Sequence, residues 1–231
     1  MPDAKDAKKE EAKKEEPKEE KRPDRKAPVK CEGGAAVKFG DPALEAEIRK
    51  KINKATGPIA PFELKTVRSV NVSAGKVNDL DPCVFPLLVG VKDVFLGPGD
   101  LDDLSPLSTL ITMESLRASI NKVSDVTPLA KLTKLDRLDL GRTAVRDIKA
   151  LGNLVNLTEL SLDGTEVKDI SPLATCAKLE RLSIKNTQVA DVTPLAKLTK
   201  LKFLYIEGTP IDDTSALGPL SAKGLKIVRG G

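Results

Sequence analysis

Seven aspartates stand in one phase along the chain: Asp79, Asp103, Asp125, Asp147, Asp169, Asp191 and Asp213, with a step of 24 residues first and of 22 thereafter. Stacked at the roughly 5 Å spacing of neighbouring strands, such a column could hold cations. Calcium, however, takes about six to eight oxygens from a tight loop around each ion, and each unit here offers one carboxylate. The better-suited role is structural. A short acidic side chain accepts hydrogen bonds from backbone N–H groups where the chain turns from a strand toward the far side of a unit.

Other chemistry is excluded by residue type. The sequence has no histidine, so histidine-based triads and histidine metal sites are absent. It has no G-x-x-x-x-G-K-S/T and no C-x-x-C. GPGD at 97–100 reads as a turn. No residue set meets the geometry of a catalytic site, and no cofactor or metal site is expected. Of three cysteines, Cys176 shares a column with Leu132, Leu154 and Leu198, and Cys83 one with Leu107, Leu129 and Leu151, so both read as small buried hydrophobes. Cys31 precedes the first structured element; a Cys31–Cys83 disulfide is open in an oxidising compartment, since spacing alone does not determine geometry.

What brings the aspartates into phase is a period of 22 residues. Met113, Leu135, Leu157, Leu179 and Leu201 mark it, and it extends back to Val91 and, across a two-residue insertion, to Val67. A fixed period in this range means stacked units that bury their apolar faces against one another. In residues 157–178, Leu157, Leu160 and Leu162 give L-x-x-L-x-L, a short strand. Val167 and Ile170 then turn inward, and Ser171-Pro172 reads as a helix start, a capping hydroxyl before a proline at the first helical position. Leu173 and Cys176 complete the apolar side.

The segments TAVRDIKAL, TEVKDISPLA, TQVADVTPLA and NKVSDVTPLA resemble the leucine-rich repeats of the 22-residue, internalin-like bacterial type. The likeness spans residues 67–220. It implies an α/β solenoid: a right-handed superhelix with a parallel concave sheet, short 3₁₀ turns on the convex side and an N-terminal helical cap. That family usually places Asn where this chain has Asn121, Thr143, Thr165, Thr187 and Thr209, a departure that bears on loop geometry rather than fold. FGDPALEAEIRKKI…GPIAPFELKTV resembles the cap of such proteins, with Asp41 and Pro42 starting a helix, Leu44, Ile48 and Ile52 on its apolar face, and Gly57-Pro58 ending it. That face is expected to cover the strand around Val70 and Val72.

The chain therefore divides into a charged tether at 1–34, a helical cap at 35–66, and repeats at 67–231, seven units followed by a partial strand around Leu225 and Val228 with no further helix. Residues 1–30 carry eleven basic and nine acidic side chains and almost nothing apolar, the composition of a disordered tether. From residue 31 onward 27 basic and 25 acidic residues nearly balance, which is not a nucleic-acid footprint. The longest apolar run, Val84 to Val91, is far too short to span a bilayer. The location is cytoplasmic if Met1 is the native start, or the cell envelope or outside if a targeting segment was removed. The C-terminal edge is either blunted by Lys226 and Arg229 or used for weak self-association.

With the frame set, the solvent-facing positions of the concave sheet include Ser69, Asn71, Asp93, Phe95, Arg117, Arg137, Asp139, Arg142, Glu159, Asp163, Arg181, Lys185, Phe203, Tyr205 and Glu207. Three of the six aromatic residues fall among them. Aromatic and arginine side chains supply most interface hot spots, which points to a protein ligand centred on Phe203 and Tyr205 beside Arg181 and Lys185. Shielding of the last units is the structural alternative for the two aromatics. An assembly scaffold in the envelope and, by the resemblance, an intracellular phosphatase-type regulator are the alternative functions.

Overall fold

A computed structural model describes Cys31 and residues 33–230; most of the tether lies outside the described residues. Two short helices come first, α1 (Pro42–Lys51) and α2 (Pro61–Leu64). Strands β1 (Ser69–Val72), β2 (Asp93–Leu96), β3 (Ser115–Arg117), β4 (Arg137–Asp139), β5 (Glu159–Ser161), β6 (Arg181–Ser183) and β7 (Phe203–Tyr205) follow, each succeeded by a single 3₁₀ turn. A one-turn helix α3 (Gly218–Ser221) and strand β8 (Lys226–Val228) end the described chain.

All eight strands lie parallel in one sheet in sequence order. The register pairs Leu138 with Leu160 and Leu160 with Leu182. Because side chains alternate across a strand, these central leucines face the interior while their neighbours face solvent. All three are at most 2% exposed. The apolar residues of every unit join one continuous core.

Six of the seven aspartates, Asp103 to Asp213, have the structural role. In the first repeat the two-residue insertion falls after Asp79, so the place expected for Asp79 is taken by Asp81, 22 residues before Asp103, and the Asp81 carboxylate accepts from the Cys83 N–H. The backbone N–H groups of Ser105, Thr127, Lys149, Ser171, Thr193 and Ser215 donate to Asp103, Asp125, Asp147, Asp169, Asp191 and Asp213 at 2.7–2.8 Å. Each carboxylate thus closes the entry to a 3₁₀ turn. This corrects the reading of Ser171: its hydroxyl donates to Asp169 rather than capping the turn, as Thr193 does to Asp191 and Ser215 to Asp213. The Ser171 N–H, and then its hydroxyl, hold the Asp169 carboxyl below the ordinary carboxylate value. Stability from this contact is present above the unfolded-state value and is lost as pH falls through the lowered one. Asp169→Ala is expected to cost about 1 kcal/mol at neutral pH. Asp169→Asn should keep the acceptor and lose only this carboxylate's share of the acid sensitivity, both read against the parent chain by urea unfolding between pH 3 and 7.

The adjoining polar column is buried from Asn121 to Thr187 and partly buried at Thr209. The hydroxyls of Thr143, Thr165, Thr187 and Thr209 each donate to the carbonyl three residues earlier, at Leu140, Leu162, Ile184 and Ile206. Asn121 does more: its amide donates to Gly97, Ala118 and Ser119 carbonyls and its oxygen accepts from Leu101. The difference follows from one donor on threonine against two donors and an acceptor on asparagine.

Four expectations change at the ends. Phe85, 2% exposed, takes the place in the core column that Cys83 was expected to hold. The spacing from Leu80 to Phe85 is two residues longer than from Leu104 to Leu107, so the insertion lies here and pushes Cys83 outward. There Cys83 is bonded to Cys31 with Cα atoms 5.4 Å apart. Asp81 shapes the same loop, accepting from the N–H groups of Cys83 and Gly40. Helix α1 stops before Gly57: Ile52 is its C-cap and Asn53 turns left-handed at φ 53°. Asn tolerates that conformation because its side chain can bond locally. Finally, α3 precedes the last strand, and in β8 it is Ile227 that pairs with core Leu204, so Val228 lies opposite Tyr205 on the solvent face.

Helix α1 begins as expected, Asp41 accepting from the Ala43 N–H at 2.7 Å, with Leu44 and Ile48 buried. It covers the β1 edge. The Glu47 carboxylate accepts from the Asn71 N–H at 3.1 Å and Lys51 Nζ donates to Ser69 at 2.9 Å. The Glu47 side chain thereby satisfies a backbone N–H that a further strand would otherwise pair, while Lys51 holds the Ser69 hydroxyl beside it.

Candidate functional site

The solvent face of the sheet carries two columns of side chains set by strand register. One runs Ser69, Asp93, Ser115, Arg137, Glu159, Arg181, Phe203 and Lys226; the other Asn71, Phe95, Arg117, Asp139, Ser161, Ser183, Tyr205 and Val228. Asp163, Lys185 and Glu207 follow their strands along the rim.

At the C-terminal end the side chains converge. The Phe203 and Tyr205 rings lie 6.4 Å apart between centroids, inclined by 14°. The Arg181 guanidinium stands 5.3 Å from the Phe203 centroid, and Lys226 Nζ 5.9 Å from it. Both cations sit within the range at which a ring face attracts them. Phe203 and Tyr205 remain partly exposed. Lys185, expected beside the rings, instead faces Asp163: its ammonium lies 3.7 Å from that carboxylate, which also accepts from the Ser183 hydroxyl and the Lys185 N–H.

Toward the N-terminal side an open groove of about 400 Å³ crosses the sheet. Its walls include Phe95, Arg117, Arg137, Asp139, Glu159 and Arg181. Ser115, Ser161 and Ser183 leave the width between them, and Leu116, Leu138 and Leu160 line its floor. Arg117 Nε is 3.3 Å from Asp139, and Arg181 is 3.5 Å from Glu159. Such exposed pairs add about 0–1 kcal/mol to stability; their consequence is to hold long side chains in place. Phe95 and Tyr205 occupy the same column five strands apart, about 24 Å at the usual strand spacing.

The sequence reading missed Lys226, because the last step of the sheet is one residue longer than the period: Lys226 pairs with Phe203. It also passed over the serines that open the groove. A search for small residues in the two solvent-facing columns would have found them. Cys176 belongs to no site: it is fully buried, and that burial pushes its thiol pKa up.

A 22-residue unit of short strand, aspartate-closed 3₁₀ turn and leucine interior, repeated through a parallel sheet, defines a leucine-rich repeat solenoid. The family model for leucine-rich repeats in two copies matches residues 155–196 and 177–219. Internalin C2 of Listeria monocytogenes has the same architecture, with a TM-score of 0.74 and 28% identity over 83% of this chain and 94% of that one. An internalin (InlF) of the same organism gives 0.73 and 31% identity over 80% of this chain, which spans 54% of that protein. A leucine-rich repeat protein of Leptospira interrogans, 18% identical with a TM-score of 0.56 over 72% of this chain and 50% of that one, shares the fold. A comparison with curated protein sequences finds no significant match. The chain is an internalin-like leucine-rich repeat protein. That fold supports a protein-interaction module in general.

Proposed function

We propose that the chain is a non-catalytic recognition module that binds a protein ligand on the concave face of its sheet. One observation carries this reading: Phe203, partly exposed, is flanked by Arg181 and Lys226 and lies beside a nearly parallel Tyr205. Aromatic rings held in place by neighbours present large contact area with little entropy left to lose. The groove from Phe95 to Arg181 extends the surface and offers alternating charge for register. The Cys31–Cys83 bond supports an oxidising location, at the envelope or outside the cell, over the cytoplasm.

Affinity capture from envelope and extracellular fractions, followed by titration of the captured protein, tests the proposal. Phe203→Ala combined with Tyr205→Ala is expected to weaken binding by about a hundredfold or more while circular dichroism stays unchanged. Unchanged binding by the folded double variant would assign the two rings to shielding of the last units instead.

A further inference from the structure

The turns that follow β3 to β7 each contain a position in the left-handed region, and the repeats themselves show which residues suit it. Gly164, Asn186 and Gly208 adopt φ values of 64°, 54° and 68° there. One and two units before Gly164 in the same column stand Arg142 at 56° and Ile120 at 60°. Glycine has no Cβ to clash in this conformation, and asparagine tolerates it. A β-branched residue is the least suited of all, because its Cβ crowds the following carbonyl. The conformation itself is imposed by the fold. The N–H groups of Ile120, Arg142, Gly164 and Asn186 donate in turn to the carbonyls of Gly141, Asp163, Lys185 and Glu207, continuing the sheet ladder past the strand ends. This chain therefore shows that glycine or asparagine satisfies the turn, yet it keeps isoleucine and arginine at two neighbouring units.

Neither side chain is retained for the core. Ile120 is 48% exposed, and Arg142 is exposed and has no ion-pair partner among the described residues. The Arg142 side chain crosses the face of Gly164, whose absent Cβ would lie 3.4 Å from Arg142 Cγ. The missing side chain leaves room for the arginine to lie along the rim. Arg117, three residues before Ile120 and 61% exposed along its side chain, is already paired with Asp139, so Arg142 is the guanidinium left for a partner at this rim. Strain kept at exposed positions marks a functional contact when the fold does not need the residue.

We infer that the rim at the C-terminal ends of β3 and β4 is a contact point for an acidic protein segment, with Ile120 taking an apolar side chain of that segment and Arg142 a carboxylate. The choice of occupant follows from complementarity: an exposed apolar residue beside an unpaired guanidinium matches a segment carrying both an apolar group and negative charge. The inference rests on the protein-binding reading above and adds a rim site to the concave one.

The test uses the full chain and short acetylated peptides rich in Asp and Glu with one central Leu or Phe. Companion probes are the same peptides with central Gly, charge-reversed peptides, and a single-stranded oligonucleotide of equal charge. Amide shifts on titration are expected over residues 119–122 and 141–143. Ile120→Asn and Arg142→Asn are each expected to weaken the acidic apolar peptide about fivefold or more, the range of interface contacts. The melting temperature should hold or rise, whereas loss of even 1 kcal/mol would lower it by about 2–4 °C. A melting temperature lowered by that much in Ile120→Asn would make Ile120 a residue of the fold and overturn the assignment. So would equal affinity for the central-Gly peptide or the oligonucleotide, or no binding of any acidic peptide. Peptide binding lost in the Phe203→Ala and Tyr205→Ala variant but intact in Ile120→Asn would overturn the rim site alone. Peptide binding intact in that double variant, with capture of the larger ligand also intact, would support the rim and remove only the concave centre.

Discussion

Leu160→Ala is expected to destabilise the chain by about 3 kcal/mol, within the 2–5 kcal/mol range for buried leucines. Leu160 is 2% exposed and stands in register between Leu138 and Leu182. Removing its side chain leaves a cavity against two neighbouring units at once, because each repeat is stabilised chiefly by the interfaces on either side of it. Urea unfolding with two probes measures the effect. The midpoint should fall, and the transition should broaden or split as the array loses cooperativity between its halves. In melting temperature the loss corresponds to about 10 °C for a chain of this size. Leu160→Met, which nearly conserves volume, should cost under about 1.5 kcal/mol. A midpoint unmoved by Leu160→Ala would show that the units do not share an interior.

Opening the Cys31–Cys83 bond is expected to cost about 2–4 kcal/mol. The bond spans 52 residues and so restricts the unfolded chain across the whole cap, for which loop entropy alone suggests about 4 kcal/mol. The loss should be local before it is global. Cys83 sits in the inserted loop that Asp81 also ties to Gly40, just ahead of α1, so α1 and β1 should exchange their amide hydrogens first when the bond is absent. Comparing the oxidised chain with Cys31→Ser and Cys83→Ser variants in urea measures the size, and hydrogen exchange the location. Thiol labelling of the native oxidised chain should be silent, since Cys176 is fully buried and its thiol is held protonated. Equal urea midpoints with and without the bond would count against a stabilising clasp.

The period of 22 residues determined a great deal without any coordinates. It assigned Leu138, Leu160 and Leu182 to one interior column, the six aspartates from Asp103 to Asp213 to turn entry, and the solvent-facing columns of the sheet to their residues. The physical reason is that every unit meets the same neighbours, so a position's place in the repeat is also its environment. Where the chain departs from repetition, only the tertiary structure decided. The two-residue insertion could be counted but not located until Phe85 was seen in the core and Cys83 outside it, bonded to Cys31. The closure of the first strand by Glu47, the placement of Lys226 over Phe203, and the pairing of Arg181 with Glu159 rather than with another carboxylate each depend on groups brought together by the stacked fold. Local sequence names the residues available at such places; the distances at which folded elements meet select among them.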